Sequence, residues 1–255
     1  MAGKFNLELP KFNIPENTLS QSYDFSSISG IGSNPNTIFY AAVVILIASV
    51  VASLLYKSNK KIVPTSGDSM QPTISNPGLV ESDRNYYNHF QPEIGHIVGV
   101  MFDTAWTEDY INTSIFYYEM ILNRKLQEAE KEYLMNNIRN DPVVLGQAYL
   151  GKRIRAVPSN KIEFKNGYLH IDGSNMHYRH KFFDIEQEHI LRLTNNGVVP
   201  QNYCLVLSDN ADVKNGFLVD SRVFGLVPFR QLLERTTKLF KKTDKGEVKI
   251  DKYFS

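Results

Sequence analysis

The chain has 255 residues, enough for one large domain or two small ones, with 42% hydrophobic and 22% charged residues to build a packed core. A net charge of +1 gives no electrostatic footprint for nucleic acid. With Cys204 as its single cysteine the chain forms no internal disulfide, so cysteine usage leaves its compartment open.

Residues 1–37 are rich in Asn, Ser and Pro without a clear period, and read as a flexible tail. Ile38 to Tyr56 (IFYAAVVILIASVVASLLY) comes next, 19 residues without a charge. As a helix it would be about 28 Å long, close to a hydrocarbon core of about 30 Å. Tyr40 and Tyr56 lie near its ends, where interfacial aromatics are favoured. A cleaved signal peptide would start nearer the N-terminus, so the expectation is one transmembrane helix over 38–56. No Lys or Arg occurs in 17–37, whereas Lys57, Lys60 and Lys61 come directly after the helix. Charge bias alone would keep the C-terminal part of the chain in the cytoplasm.

From Lys61 onward, short apolar runs alternate with turn residues, and 14 Tyr and 15 Phe suit pleated surfaces. Strands are expected at Gly78–Glu81, His96–Phe102, Ala148–Val157, Lys161–Phe164, Tyr168–Ile171 and Tyr203–Leu207. Asn166-Gly167 predicts a tight hairpin pairing 161–165 with 168–172, because Asn-Gly tolerates positive φ. One segment breaks the β pattern. Ile111, Ile115, Tyr118, Leu122, Leu126, Ala129 and Tyr133 recur at steps of three or four, which predicts an amphipathic helix or helical pair over 108–139. Thr107 is its expected N-cap, and Asp141-Pro142 its end.

Three blocks carry chemistry. Ser66-Gly67-Asp68-Ser69-Met70-Gln71-Pro72-Thr73 is a compact turn with a serine. Gly67 permits an unusual φ before Ser69, and Pro72 stiffens the exit. Ser-Gly-Asp-Ser alone is ordinary loop chemistry; the longer string Gly-x-Ser-Met-x-Pro-Thr is far more specific. A serine hydroxyl needs a base to become a nucleophile. None of the six histidines sits in a catalytic motif, and His177 with His180 lacks the further ligands that a metal needs. Lys152 lies in the strand-like run Ala148–Pro158. It is either a strand-edge lysine with its head in water or a buried amine whose lowered pKa makes it a base. The third block is Ser208-Asp209-Asn210, with Asp220-Ser221-Arg222-Val223-Phe224-Gly225 shortly after it.

In this order the blocks resemble type I signal peptidases, the membrane-bound serine/lysine proteases that remove signal peptides. The likeness spans about 62–228. It implies a mainly β fold: a coiled antiparallel β-sheet peptidase domain over 57–255 with a helical insertion, preceded by one transmembrane helix. It implies Ser69 as nucleophile and Lys152 as base, with no cofactor and no metal. Met70 would shape the floor near the substrate. Gly67 stands where some relatives have a serine that contributes to the oxyanion hole. Arg153 would pair with Asp209, and Asp220 with Arg222, in support of the site. Departures are Ser208 for a glycine, Leu218 for a serine that hydrogen-bonds the catalytic lysine, and His96 for an aspartate. The implied partners are preprotein substrates with signal peptides and the lipid bilayer, and no nucleic acid. The implied place is the plasma membrane, with the catalytic domain outside the cytoplasm, against the charge bias. Alternatives are a dedicated maturation peptidase for pilin or secretion-system subunits, a self-cleaving repressor, and a membrane-anchored scaffold with a degenerate peptidase domain.

Overall fold

The computed structural model describes residues 43–47, 59–176, 178, 180–210, 219–242 and 248–254. The chain divides into two units, Met1–Tyr56 and Lys57–Ser255. Within the first, residues 43–47 are helical. The rest of the expected span 38–56, and the tail 1–37, lie outside the described residues. Among the described residues no helix is long and apolar enough to cross a membrane.

The second unit is mainly antiparallel β-sheet with a few helices. Its strands are β1 (Lys60–Thr65), β2 (Gly78–Asp83), β3 (Ile97–Val100), β4 (Leu150–Ala156), β5 (Ile162–Lys165), β6 (Tyr168–Ile171), β7 (Ser174–Asn175), β8 (Tyr203–Leu207), β9 (Val227–Pro228), β10 (Leu232–Lys242) and β11 (Val248–Tyr253). The large sheet runs β1-β2-β10-β3-β4-β8-β9, with β11 also on β10, and β5-β6-β7 form a small second sheet. Strand β10 is therefore inserted between β2 and β3, pairing with both through bulged registers.

Strand β8 explains the unbroken apolar run Cys204-Leu205-Val206-Leu207. Side chains alternate across a strand. Cys204 and Val206 join one core with Val98, Ile154 and Phe224, while Leu205 and Leu207 join another with Ile162, Leu169 and Ile190. A strand buried on both faces has no polar row to show. Burial also pushes the Cys204 thiol well above its usual pKa.

The hairpin forms as expected. Asn166 and Gly167 both have positive φ, and Phe164 and Lys165 pair with Leu169 and Tyr168. The insertion is a pair of helices, α1 (Thr107–Leu122) and α2 (Glu128–Arg139). The expected single stripe fails here. Tyr110, Ile111 and Tyr117 are the buried apolar residues of α1, and Leu134 and Ile138 those of α2, whereas Tyr118, Leu122 and Tyr133 are exposed. Asn123 ends α1 in the left-handed conformation, so helical phase is not carried across residues 123–127. Thr107 is not a cap either: it is the first residue of α1, its hydroxyl donating to the Thr104 carbonyl at 2.7 Å. Two short helices complete the fold, α3 (Asp184–Leu191) and α4 (Ser221–Phe224).

Candidate active site

Ser69 lies in the turn between β1 and β2, and Lys152 on the central strand β4. Lys152 Nζ donates to Ser69 Oγ at 2.9 Å. The strand row Leu150, Lys152, Ile154 faces inward, and Lys152 is only 2% exposed. Burial disfavours its ammonium form and pushes its pKa down to about 8; the Asp220 carboxylate opposes that shift and the Arg222 guanidinium adds to it. Of the two roles open to Lys152 in the sequence, the exposed strand-edge lysine is thus excluded.

The turn is held from several sides. Gly67 adopts φ +95°, a conformation that a side chain would strain. Asp68 Oδ1 accepts from Gln71 Nε2 at 2.8 Å and Asn76 Nδ2 at 2.9 Å. Asn210 N–H donates to the Ser69 carbonyl at 2.9 Å, which ties the third block to the turn. Met70 is buried with Ile74, Val80 and Ile97 beneath it.

The supporting residues group as two clusters. Arg153 grips Asp209 in bidentate fashion at 2.7 and 2.6 Å, and donates to the Gly95 carbonyl at 2.8 Å. Arg155, two residues along and so on the same face of β4, reaches Asp209 at 2.8 Å. Burial favours the protonated acid of Asp209, yet the Arg153 and Thr73 hydrogen bonds and the nearby guanidinium charges hold its pKa below the usual value. Asp220 and Arg222 are 0% and 1% exposed and pair at 2.9 and 2.6 Å. Asp220 also accepts from the Ser208 N–H and hydroxyl, both at 2.8 Å. Burial pushes its pKa up, but Arg222, with a smaller share from Lys152, brings it down to about 2. The Tyr178 ring lies 5.7 Å from the Arg155 guanidinium and 5.9 Å from that of Arg222, and its hydroxyl donates to the Ser208 carbonyl at 2.8 Å.

The departures have local explanations. Ser208 uses its hydroxyl on Asp220, and the Ser221 hydroxyl accepts from Val206 N–H at 3.0 Å. Among the described residues Ser69 is the only side chain hydrogen-bonded to Lys152 Nζ. Leu218 lies outside the described residues. His96 is buried, and burial, with the Arg235 charge, pushes its pKa down to about 4. It is a neutral ring beside the Tyr87 hydroxyl at 3.3 Å. His180 hydrogen-bonds Glu186 at 2.8 Å, and His177 lies outside the described residues.

A cavity of about 310 Å³ opens beside Ser69 and Met70. Gly99 and Gly151, paired across β3 and β4, lie along it, and Glu234, Tyr149 and Thr65 contribute polar groups. Sequence reasoning missed Arg155, Glu234 and Tyr149. Arg155 was findable, because residues two apart on a strand share a face. The others become neighbours of the site only through sheet pairing.

A family model described as "Signal peptidase, peptidase S26" matches residues 37–240. No curated protein matches the sequence.

Proposed function

The chain belongs to the peptidase S26 family of signal peptidases, and from that premise we propose a membrane-anchored serine endopeptidase that cuts signal peptides from exported preproteins with a Ser69/Lys152 dyad. The observation that carries this reading is the 2.9 Å contact between Ser69 Oγ and a lysine buried to 2% exposure. The neutral amine of Lys152 takes the Ser69 proton as Oγ attacks the scissile carbonyl carbon. The oxyanion meets the backbone N–H of Ser69. Collapse expels the new N-terminal amine, to which Lys152 returns the proton. Water, deprotonated in turn by Lys152, hydrolyses the acyl ester and frees Ser69. Arg153 and Asp209 brace β4 against the turn from one side; Asp220 and Arg222 set the electrostatic surroundings of the amine from the other.

Burial is what makes this base usable. At pH 7 an ordinary lysine is neutral in about 1 molecule in 3,000, against about 1 in 10 for a pKa of about 8. The base must be unprotonated, so kcat/KM on a signal-bearing precursor should climb about tenfold per pH unit below pH 8 and level off above it. A maximum near pH 4 would instead indicate a carboxylate mechanism.

In this reading residues 38–56 are the membrane anchor and 57–255 the peptidase domain. The 12 residues between Tyr56 and Ser69 reach at most about 40 Å, which keeps the site near the bilayer surface. The catalytic domain lies outside the cytoplasm, and Lys60 and Lys61, exposed on β1, face anionic headgroups. A reporter fused after Ser255 should therefore behave as exported; cytoplasmic reporter activity would mean that charge bias sets the topology.

A further inference from the structure

Asp220 does not complete the surroundings of Arg222. The pair is made through Arg222 Nε and Nη2, while the buried Nη1 has no hydrogen-bond partner among the described residues. A second carboxylate, Glu186 of α3, is buried to 0% exposure near this guanidinium. Burial disfavours the charged form of Arg222, but the Asp220 carboxylate, then Tyr178 and Glu186, more than offset it and hold its pKa above the usual value. Two buried carboxylates thus act on one buried guanidinium, and that guanidinium in turn acts on Lys152.

Glu186 is the third residue of α3 and accepts from the Phe183 N–H at 2.7 Å, as an ordinary capping glutamate would. A cap has no need of full burial, and this one takes two more donors. His180 Nε2–H donates to it at 2.8 Å, and so does the Tyr117 hydroxyl of α1. Tyr117 is 3% exposed, and burial with the Glu186 charge pushes its pKa up, so it remains a donor. The three helices are locked together around these groups. His189, one turn after Glu186 on α3, donates from Nδ1 to the Arg222 carbonyl at 3.1 Å. A Cβ at Gly225 would stand 2.4 Å from the His189 carbonyl oxygen, so glycine is what lets α4 end against α3. Asp109 of α1 holds Arg192 in bidentate fashion at 3.0 and 2.6 Å.

We propose that Glu186 is a positioning residue for the reaction: held by Tyr117 of the helical insertion, its carboxylate balances the Arg222 guanidinium against the Lys152 amine; this rests on the reading of Lys152 as the base. Among the described residues the charged groups that act on Lys152 are Asp220, Arg222 and Asp209. Those that face Glu186 are Arg222, with the titratable Tyr117 and His180. Without the Glu186 charge, the positive field of Arg222 at the amine is less opposed. A like charge disfavours the ammonium form, so Lys152 then gives up its proton at lower pH. A residue that only capped α3 or filled space would leave that proton where it is. The insertion thereby has a part in the chemistry, although neither of its helices carries a residue of the dyad.

The test is the pH profile of kcat/KM on a signal-bearing precursor for the full chain and its Glu186→Gln variant. The midpoint of the acidic limb should move down by about half a unit or more, so the share of the plateau rate kept at pH 6 rises about threefold. Glu186→Asp, which keeps the charge, and His180→Gln, which keeps a donor but cannot titrate, should leave the midpoint near that of the wild type. The same shift should appear without turnover, in an NMR titration of the Lys152 ε-carbon in full-length Ser69→Ala, its signal assigned by its absence from Lys152→Met. Should Glu186→Gln fail to fold, Glu186→Met with Tyr117→Phe and His180→Phe replaces the charge and both donors by apolar groups, a change that buried ionic sets often tolerate, and carries the same expected shift. An unmoved or raised midpoint, or an equal shift in Glu186→Asp or His180→Gln, would overturn the proposal while leaving the peptidase reading intact. A wild-type chain that cuts no precursor sinks the peptidase reading, and the proposal with it, whatever the titration shows.

Discussion

Replacing Lys152 with methionine should, on the proposed Ser69/Lys152 mechanism, lower cleavage by a factor on the order of 10⁴ or more, because the nucleophile loses its base. The same substitution should make the protein more stable. In the folded chain Lys152 has a pKa of about 8, against 10.5 for an ordinary lysine. Between those values the unfolded chain binds the proton and the folded one does not, so stability rises as pH rises through that window. Below pH 8 the full cost of burying the amine is present, about 3 kcal/mol at 1.36 kcal/mol per pKa unit. Methionine fills a similar volume without a charge and removes that cost. Urea unfolding at pH 7 and pH 10 should show the variant's advantage at pH 7 shrinking toward pH 10. Ser69→Ala should match the loss of activity with no such pH-dependent gain. Near-normal turnover in Lys152→Met would end its candidacy as the base.

The Asp220–Arg222 pair should respond in the opposite sense. Both partners are almost wholly excluded from solvent. Removing either leaves an uncompensated buried charge, at a cost of about 3–5 kcal/mol. Asp220→Leu and Arg222→Met should each lower the urea midpoint sharply, while the double variant should recover most of the loss. A double variant as unstable as the sum of the singles would show that the two side chains act independently. Acid should act like the Asp220 substitution. The Asp220 pKa, about 2 in the fold against 3.8 ordinarily, means that its contribution is whole above pH 3.8 and is lost as pH falls toward 2.

Where local chemistry decides structure, the sequence was informative. Asn166-Gly167 specified its hairpin, and Tyr203–Leu207 its strand. The string from Gly67 to Thr73 and the strand-like run through Lys152, read through the resemblance, picked out a serine and a lysine that the fold brings into contact. The pairs Arg153–Asp209 and Asp220–Arg222 also meet as the resemblance implied. Other features depended on distant neighbours. The stripe drawn from Ile111 to Tyr133 assumed one continuous helical phase, which Asn123 interrupts. Strand β10 reads Leu-Leu-Glu-Arg-Thr-Thr-Lys-Leu-Phe-Lys-Lys, polar enough to pass for surface chain. Its place in the middle of the sheet is set by partners far away in sequence, as is the burial of Glu234. Ser208 stands where the resemblance implies a glycine, and its hydroxyl donates to Asp220.

The insertion of β10 has a consequence for when this chain can become active. Ser69 leads into β2 and Lys152 lies on β4 beside β3, yet β2 and β3 do not pair with each other; β10 lies between them. A ribosome has released the serine and the lysine well before it makes residues 232–242. Until those residues insert, nothing in the sheet fixes the distance between hydroxyl and amine. Strand order itself thus delays assembly of the proposed dyad. Stalled nascent chains ending before Leu232 should leave a precursor uncut, whereas released full-length chains cut it.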